Sequence, residues 1–251
     1  MLSYTKKASL LKGRDVKYEF KVNFLYNRDI KIGFSAMACI APWLLSLVYN
    51  MRRILLDFVQ GIAWPKDVFY KKVDTLTELL KFDNNTYIHS QNVARYSTRL
   101  NKLLSTNIDD RIMYYSGLFH DIGKLKINLS ILNKEDKLQD SEFDIIKKHS
   151  GQGYIMLKKY LMPKEMQHSA LYHHERWDGK GYPMKLKGEE IPVVARIISI
   201  CDVYDALTSD RPYRNAFAID EAVNMMKNFK GQFDPEIFKV FMDNLDSIVG
   251  M

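Results

Sequence analysis

The chain has 251 residues, 47% of them hydrophobic, and a formal charge of +7, a composition that excludes a disordered polymer and is enough for a substantial core. Its two cysteines, Cys39 and Cys201, form no spacing pattern and sit in apolar surroundings, which argues against a disulfide framework and for a reducing cytosol. The charge is uneven: residues 1–70 hold eleven Lys or Arg against five acids, and the basic leader reads as a solvated surface rather than a nucleic-acid or lipid contact.

Within that leader Val16, Tyr18, Phe20, Val22 and Phe24 alternate with polar residues, the period of a half-buried strand. The turn Asn27-Arg28-Asp29, followed by Ile30, Ile32 and Phe34, closes a hairpin. The first residues are polar and the apolar run comes late, so no secretory signal is expected. From Ile32 to Met51 no residue is charged, about the length of a bilayer span. Gly33, Ser35, Pro42, Ser46 and Asn50 dilute that run. Leu44, Leu47, Val48, Met51, Leu55 and Phe58 also carry one helical face past Arg52 and Arg53. The expectation is a buried or dimer-forming helix starting near Pro42, with membrane association through residues 32–51 as the alternative.

Past Pro65 the chain reads as helix after helix. The segments Val68 to Lys81, Thr86 to Leu104, Asp110 to His120, Ser141 to His149, Gly153 to Leu161, Lys164 to His174, Pro192 to Ser209, Ile219 to Phe229 and Pro235 to Ile248 carry a 3.6-residue period broken by Gly, Pro, Asn or Asp. Nothing there alternates like a strand, so an all-α bundle follows a small N-terminal region holding a hairpin and one apolar helix.

Five of the six histidines, His89, His120, His149, His173 and His174, fall at inward positions of these helices, and His168 reads as a surface residue. Asp121 follows His120 directly, and Asp202 lies four residues beyond Ile198 on an apolar helix, where a carboxylate is costly to bury without a cation or strong donors. Imidazole and carboxylate suit Mn, Fe, Ni or Zn, and the absence of thiolates argues against a structural zinc site. Successive candidates are separated by 24 to 31 residues, so separate helices must converge to bring them together.

Several ordered blocks then resemble a known family. They are His89-Ser90, His120-Asp121-Ile122-Gly123-Lys124, His149, His173 through Pro183, Ala195-Arg196-Ile197, Asp202 through Arg214, and Phe233-Asp234-Pro235. The chain from about 68 to 248 resembles the HD-GYP family, the branch of HD-domain metal-dependent phosphohydrolases that hydrolyses the bacterial second messenger cyclic di-GMP. The resemblance implies a multi-helix HD-type bundle over residues 68–251 with a metal site at its centre. Residues 1–67 are an appendage carrying no receiver or other common sensor pattern.

Position by position, the resemblance implies one metal held by His89, His120, Asp121 and Asp202, and a second held by His149, His173 and His174 with Asp121 bridging. Some members hold a third metal through a Glu four residues before the first His; here that residue is Asn85, a poor cation ligand, so two divalent ions are expected, iron or manganese first and nickel or zinc as alternatives. A hydroxide bridging the metals would attack the phosphodiester with no protein nucleophile. Asp121 and Lys124 are the catalytic candidates, and Lys124, Tyr182, Arg211 and Arg214 the substrate contacts. Asp205 is suited to orienting a ligand imidazole, and Asp178 is a weak candidate near the leaving oxygen.

The expected activity is cytoplasmic hydrolysis of cyclic di-GMP to pGpG and on to GMP, with a cyclic dinucleotide and no nucleic-acid polymer as partner, and with homodimerisation left open. The alternatives are a phosphodiesterase for another cyclic dinucleotide or phosphoester, and a catalytically weak nucleotide-binding sensor.

Overall fold

The computed structural model describes residues 4–10, 16–22 and 30–36 as strands, and residues 66–250 apart from 133, 135, 137 and 211–213. The chain divides into two compact units, residues 1–68 and 69–251. In the first, β1 (Tyr4–Leu10), β2 (Val16–Val22) and β3 (Ile30–Ala36) form an antiparallel sheet in the order β1-β2-β3. Val22 pairs with Ile30 across one ladder and with Tyr4 across the other. The sequence pattern leaves β1 unmarked, because the adjacent Lys6 and Lys7 and the small Ala8 and Ser9 give no clear alternation. The apolar helix expected near Pro42 falls on residues 37–65, outside the described residues. Among the described residues no helix is long and apolar enough to cross a membrane.

Among its described residues the second unit is built from helices joined by turns and loops. Its helices are α1 (Lys66–Leu80), α2 (Asn84–Leu104), α3 (Asp110–Leu118), α4 (Leu129–Leu132), α5 (Asp140–Lys159), α6 (Lys164–Tyr172), α7 (Val193–Thr208), α8 (Ile219–Asn228), α9 (Pro235–Asp243) and α10 (Leu245–Val249). Local chemistry sets several boundaries. The Asp109 carboxylate accepts the Arg111 and Ile112 amides at the start of α3, and Asp234 does the same for Glu236 and Ile237 ahead of α9, which has Pro in its first turn. Ser105 ends α2 in the left-handed conformation.

Two apolar clusters fill the unit. One gathers α7 (Ile197, Ile198, Cys201, Tyr204) with Val93 and Leu100 of α2 and Phe241 of α9. The other gathers α1 (Leu76, Leu80), Phe119, Ile122, Leu157 of α5 and Met166 of α6. α2 and α3 approach closely at Gly117, where a Cβ would lie 2.7 Å from the Ala94 Cα.

The structure departs from the periodicity reading at α5. Residues 141–149 and 153–161, expected as two helices broken by glycine, form one continuous helix. The helix tolerates Gly153 because that side must stay bare: the residue after Asp121-Ile122 packs there, and a Cβ on Gly123 would meet the His149 carbonyl oxygen at 1.9 Å. Conversely, the segment 235–248 breaks at Asn244 into α9 and α10.

Phe241 is fully buried and its ring lies 5.5 Å from that of Tyr204. Phe241→Ala is expected to lower stability by about 3–5 kcal/mol in denaturant unfolding. Ile155→Ala, at a position 59% exposed, is expected to stay within about 0.5 kcal/mol of the parent.

Candidate metal centre

Each candidate side chain is delivered by a different end or face. α2 carries His89, the turn leaving α3 carries His120 and Asp121, α5 carries His149, the end of α6 leads into His173 and His174, and α7 carries Asp202. The side chains meet in two groups whose ligand atoms lie within 4.8 Å of one another: His89, His120 and Asp202, and Asp121, His149, His173 and His174. Gaps of 24 to 31 residues separate successive members in sequence, and the packing of the helices brings them together. His89, His120, Asp121, His149 and His173 are all at most 4% exposed.

The ring nitrogens are sorted by their partners. Nδ1 of His120 lies 2.7 Å from the Gly117 carbonyl oxygen, Nδ1 of His149 2.7 Å from that of Ile146, and Nδ1 of His173 2.9 Å from that of Ser169. A carbonyl oxygen can only accept, so Nδ1 carries the proton in all three and a neutral ring presents a bare lone pair at Nε2. For His89 the partner of Nδ1 is Asp205 Oδ2 at 2.6 Å, and Asp205 in turn accepts Asn92 Nδ2 at 2.8 Å. Asp205 therefore aims His89 from behind, as its spacing from Asp202 suggested.

All these Nε2 atoms point at the two carboxylates. Asp121 Oδ2 is 3.4 Å from His120 Nε2 and 3.8 Å from His89 Nε2, whereas Oδ1 is 3.2 Å from His149 Nε2 and 3.7 Å from His173 Nε2. Asp202 Oδ1 is 3.0 Å from His89 Nε2. One carboxylate thus faces both groups, one oxygen to each. His149 Nε2 and His173 Nε2 stand 3.2 Å apart, two lone pairs aimed at each other. His120 Nε2 and Asp121 Oδ1 are buried with no hydrogen-bond partner. Asp121 Oδ1, His149 Nε2 and His173 Nε2 are acceptors facing one another without a donor, which a divalent cation satisfies, so the donor set fits metal.

The electrostatics agree. Burial pushes the His149, His173 and His174 imidazoles down, His174 to about 3 with His149 adding to the effect, so these rings are neutral. Burial also opposes charge on His120, but Asp121 and Asp202 outweigh it and raise its pKa to about 10. Burial disfavours both carboxylates as anions. Lys124 and then His120 overcome this at Asp121, and His120 and His89 at Asp202, holding both well below the usual carboxylate range. Lys124 Nζ sits 2.5 Å from Asp121 Oδ2.

Tyr182 lies beside the cluster with its ring 4.8 Å from that of His174. Burial, reinforced by Asp121 and Asp202, raises its pKa, so it is a neutral hydroxyl donor. Arg214 is engaged elsewhere: its guanidinium donates to the Ala206, Leu207 and Asn215 carbonyls and lies over the Phe217 ring. Arg211 is outside the described residues. Asn85 is exposed and belongs to neither group. Asp178 is held by Arg176, at 2.8 Å from Nη2, which together with the Lys180 amide lowers its pKa to about 2, unsuited to a general acid. His168 is half-buried against Tyr172 rather than on the open surface. Sequence reasoning did not mark Asn92; its spacing of three from His89 on α2 was the available signal.

An HD domain family model matches residues 74–237. The chain is 39% identical over 172 residues to a cyclic di-GMP phosphodiesterase of Pseudomonas aeruginosa, covering 67% of this chain and 41% of that protein. It is 40% identical over 162 residues to the 3'3'-cGAMP-specific phosphodiesterase 1 of Vibrio cholerae, covering 63% and 38%. It is 32% identical over 182 residues to a cyclic di-GMP phosphodiesterase of Thermotoga maritima, covering 70% and 50%. The chain thus spans about two fifths to half of the length of these relatives. Among solved structures, Bd1817, an HDG"Y"P protein from Bdellovibrio bacteriovorus, superposes with a TM-score of 0.55 at 18% identity over 72% of this chain and 64% of that one. The PgpH HD domain of L. monocytogenes, solved with cyclic-di-AMP, gives 0.51 at 19% over 70% and 94%. At those identities the likeness is one of fold, and it is the sequence match over residues 74–237 that decides kinship: the chain belongs to the HD domain family and is of the HD-GYP type.

Proposed function

We propose that this protein is a metal-dependent phosphodiesterase that opens cyclic di-GMP to linear pGpG and then cuts that to GMP, working in the cytoplasm. The observation that carries the reading is the divided use of Asp121, one oxygen facing the His89 and His120 nitrogens and the other those of His149 and His173. Two cations fit this division, one held by His89, His120, Asp121 and Asp202 and the other by Asp121, His149, His173 and His174. The imidazole and carboxylate set is suited to iron or manganese. When bound, such a pair supplies Lewis acidity at the phosphoryl oxygens and a nucleophilic water at neutral pH.

The chain's own residues do the rest. Lys124, a compact cation seated on Asp121, offers charge to a phosphoryl oxygen. Tyr182, kept neutral, offers a ring to a nucleobase and a hydroxyl to a phosphate or sugar oxygen. Asp205 and the Gly117, Ile146 and Ser169 carbonyls hold the imidazoles in one tautomer, so no reorganisation is needed when substrate arrives. Asp178, ionised beside Arg176, is not available to protonate the leaving oxygen. A second reading, hydrolysis of 3'3'-cGAMP, is favoured by the relatives of that specificity at similar identity.

Iron- or manganese-loaded protein incubated with a panel of cyclic dinucleotides, with products resolved over time, tests both readings. Release of pGpG from cyclic di-GMP ahead of the other substrates is expected, and His120→Ala and Asp121→Ala are expected to abolish it. Equal turnover in those variants would end the proposal.

Two further outcomes concern the ligands. Asp205→Asn alters the side chain that receives His89 Nδ1 and is expected to weaken metal binding about 10–100-fold, read by competition against a fluorescent chelator. His120 holds a proton up to a pKa of about 10 in the metal-free protein, and a cation must displace it. Below that pKa the proton competes, so apparent affinity should climb about tenfold per pH unit between pH 7 and 9. A flat profile would show that no proton on His120 competes with the cation.

A further inference from the structure

The stretch from His174 to Leu186 doubles back on itself, and a buried carboxylate joins its two limbs. Glu175 is 2% exposed. Its Oε1 accepts the Met184 amide at 2.6 Å and its Oε2 accepts the Leu186 amide at 3.1 Å. Lys185, between those two amides, has a φ of +58°, a left-handed conformation that a lysine adopts only when its surroundings impose it. The carboxylate that receives both flanking amides is the group that imposes it.

The same segment is pressed against the backbone beside Glu175. The Tyr182 amide donates to the His174 carbonyl at 3.2 Å. A Cβ on Gly181 would lie 2.4 Å from the Arg176 nitrogen and 2.5 Å from the Glu175 Cα, so the backbones are in direct contact. Tyr182 therefore emerges beside the His174 ring from a segment held on one side by His174 and on the other by Glu175. Glu175 belongs to neither metal-ligand group. A buried carboxylate needs donors to offset its lost hydration, and here those donors are the loop's own amides.

We infer that Glu175 is a positioning residue: by binding the Met184 and Leu186 amides it fixes the orientation of Tyr182 toward a nucleotide held over the histidine cluster. What Tyr182 touches rests on the phosphodiesterase reading above; the clamp itself does not. The start of the loop has separate anchors. Arg176 Nη1 donates to Gln232 Oε1 at 2.8 Å, and the Trp177 amide donates to the Gln232 carbonyl at 3.0 Å. Loss of Glu175 therefore loosens the Tyr182 half and leaves residues 176–178 in place.

The test uses the full chain with Glu175→Gln, which keeps the shape and one acceptor but turns an NH2 group toward the second amide. The Michaelis constant for cyclic di-GMP is expected to rise about tenfold with kcat nearly unchanged, the signature of lost substrate binding. Metal content and hydrolysis of bis(p-nitrophenyl) phosphate, a diester with no nucleobase to stack on the Tyr182 ring, should match the parent far more closely than cyclic di-GMP turnover does. Tyr182→Ala should raise the Michaelis constant as much, and the double variant no further, because both act through one contact. Hydrogen exchange at the Tyr182, Met184 and Leu186 amides should accelerate by roughly tenfold while the Trp177 and Asp178 amides hold.

The inference is overturned by unchanged exchange at those three amides, by additivity with Tyr182→Ala, or by parallel loss of metal and of diester hydrolysis, which would make Glu175 a general support of the fold. If the parent binds metal but degrades no cyclic dinucleotide, the phosphodiesterase reading fails. The exchange measurement then decides the clamp by itself.

Discussion

Asp121 imposes the constraint from which the helical unit follows. Its carboxylate is 2% exposed and ionised, and both of its oxygens look at imidazole nitrogens, with Lys124 the one donor, on Oδ2. Out of water such an arrangement is repulsive unless positive charge enters it. A proton on His120 relieves one side, since the two carboxylates raise its pKa far enough. The other side has no such remedy, because burial keeps His149, His173 and His174 neutral. The protein therefore folds around a buried set of acceptors suited to metal, and the packing of Leu76, Phe119, Ile197 and their neighbours offsets the cost of holding it open.

The set stays in place because the backbone comes close where the candidate ligands are. Gly123 lies against the His149 carbonyl and Gly153, which brings the turn carrying Asp121 onto α5 without a side chain between them. Gly117 lets α3 approach α2, and so brings His120 toward His89. These glycines have a positional reason that composition alone does not reveal. A methyl group at either contact would push one half of the ligand set away from the other.

Much of this was legible in the residues. The helical period survives burial, and an inward histidine or aspartate on an apolar face is conspicuous, so the seven candidate ligands could be named before any coordinates. Tight contacts were less legible. Gly151 and Gly153 looked like a break because their intrinsic preference opposes a helix, whereas packing against Gly123 overrides it. Arg214 was marked as a substrate contact by the family resemblance alone, and nothing in sequence shows that the carbonyls at the end of α7 also take its donors. Glu175 sat in plain view within a recognisable motif, but its partners are main-chain amides nine and eleven residues away, which no side-chain pattern records. β1 was missed because its register comes from β2 rather than from its own alternation.

The carbonyls that steer His120 and His173 belong to residues three and four positions earlier, on the last turns of the helices that deliver them, whereas the one that steers His149 belongs to Ile146, in the middle of α5. Coordination geometry is thereby written into helix-end order: if the final turn of α6 unwinds, the Ser169 carbonyl swings away and His173 loses its bearing with no ligand altered. Fraying at a helix terminus, ordinarily harmless, becomes a way to disarm the centre. Any event that tightens or slackens that turn acts as a dial on it.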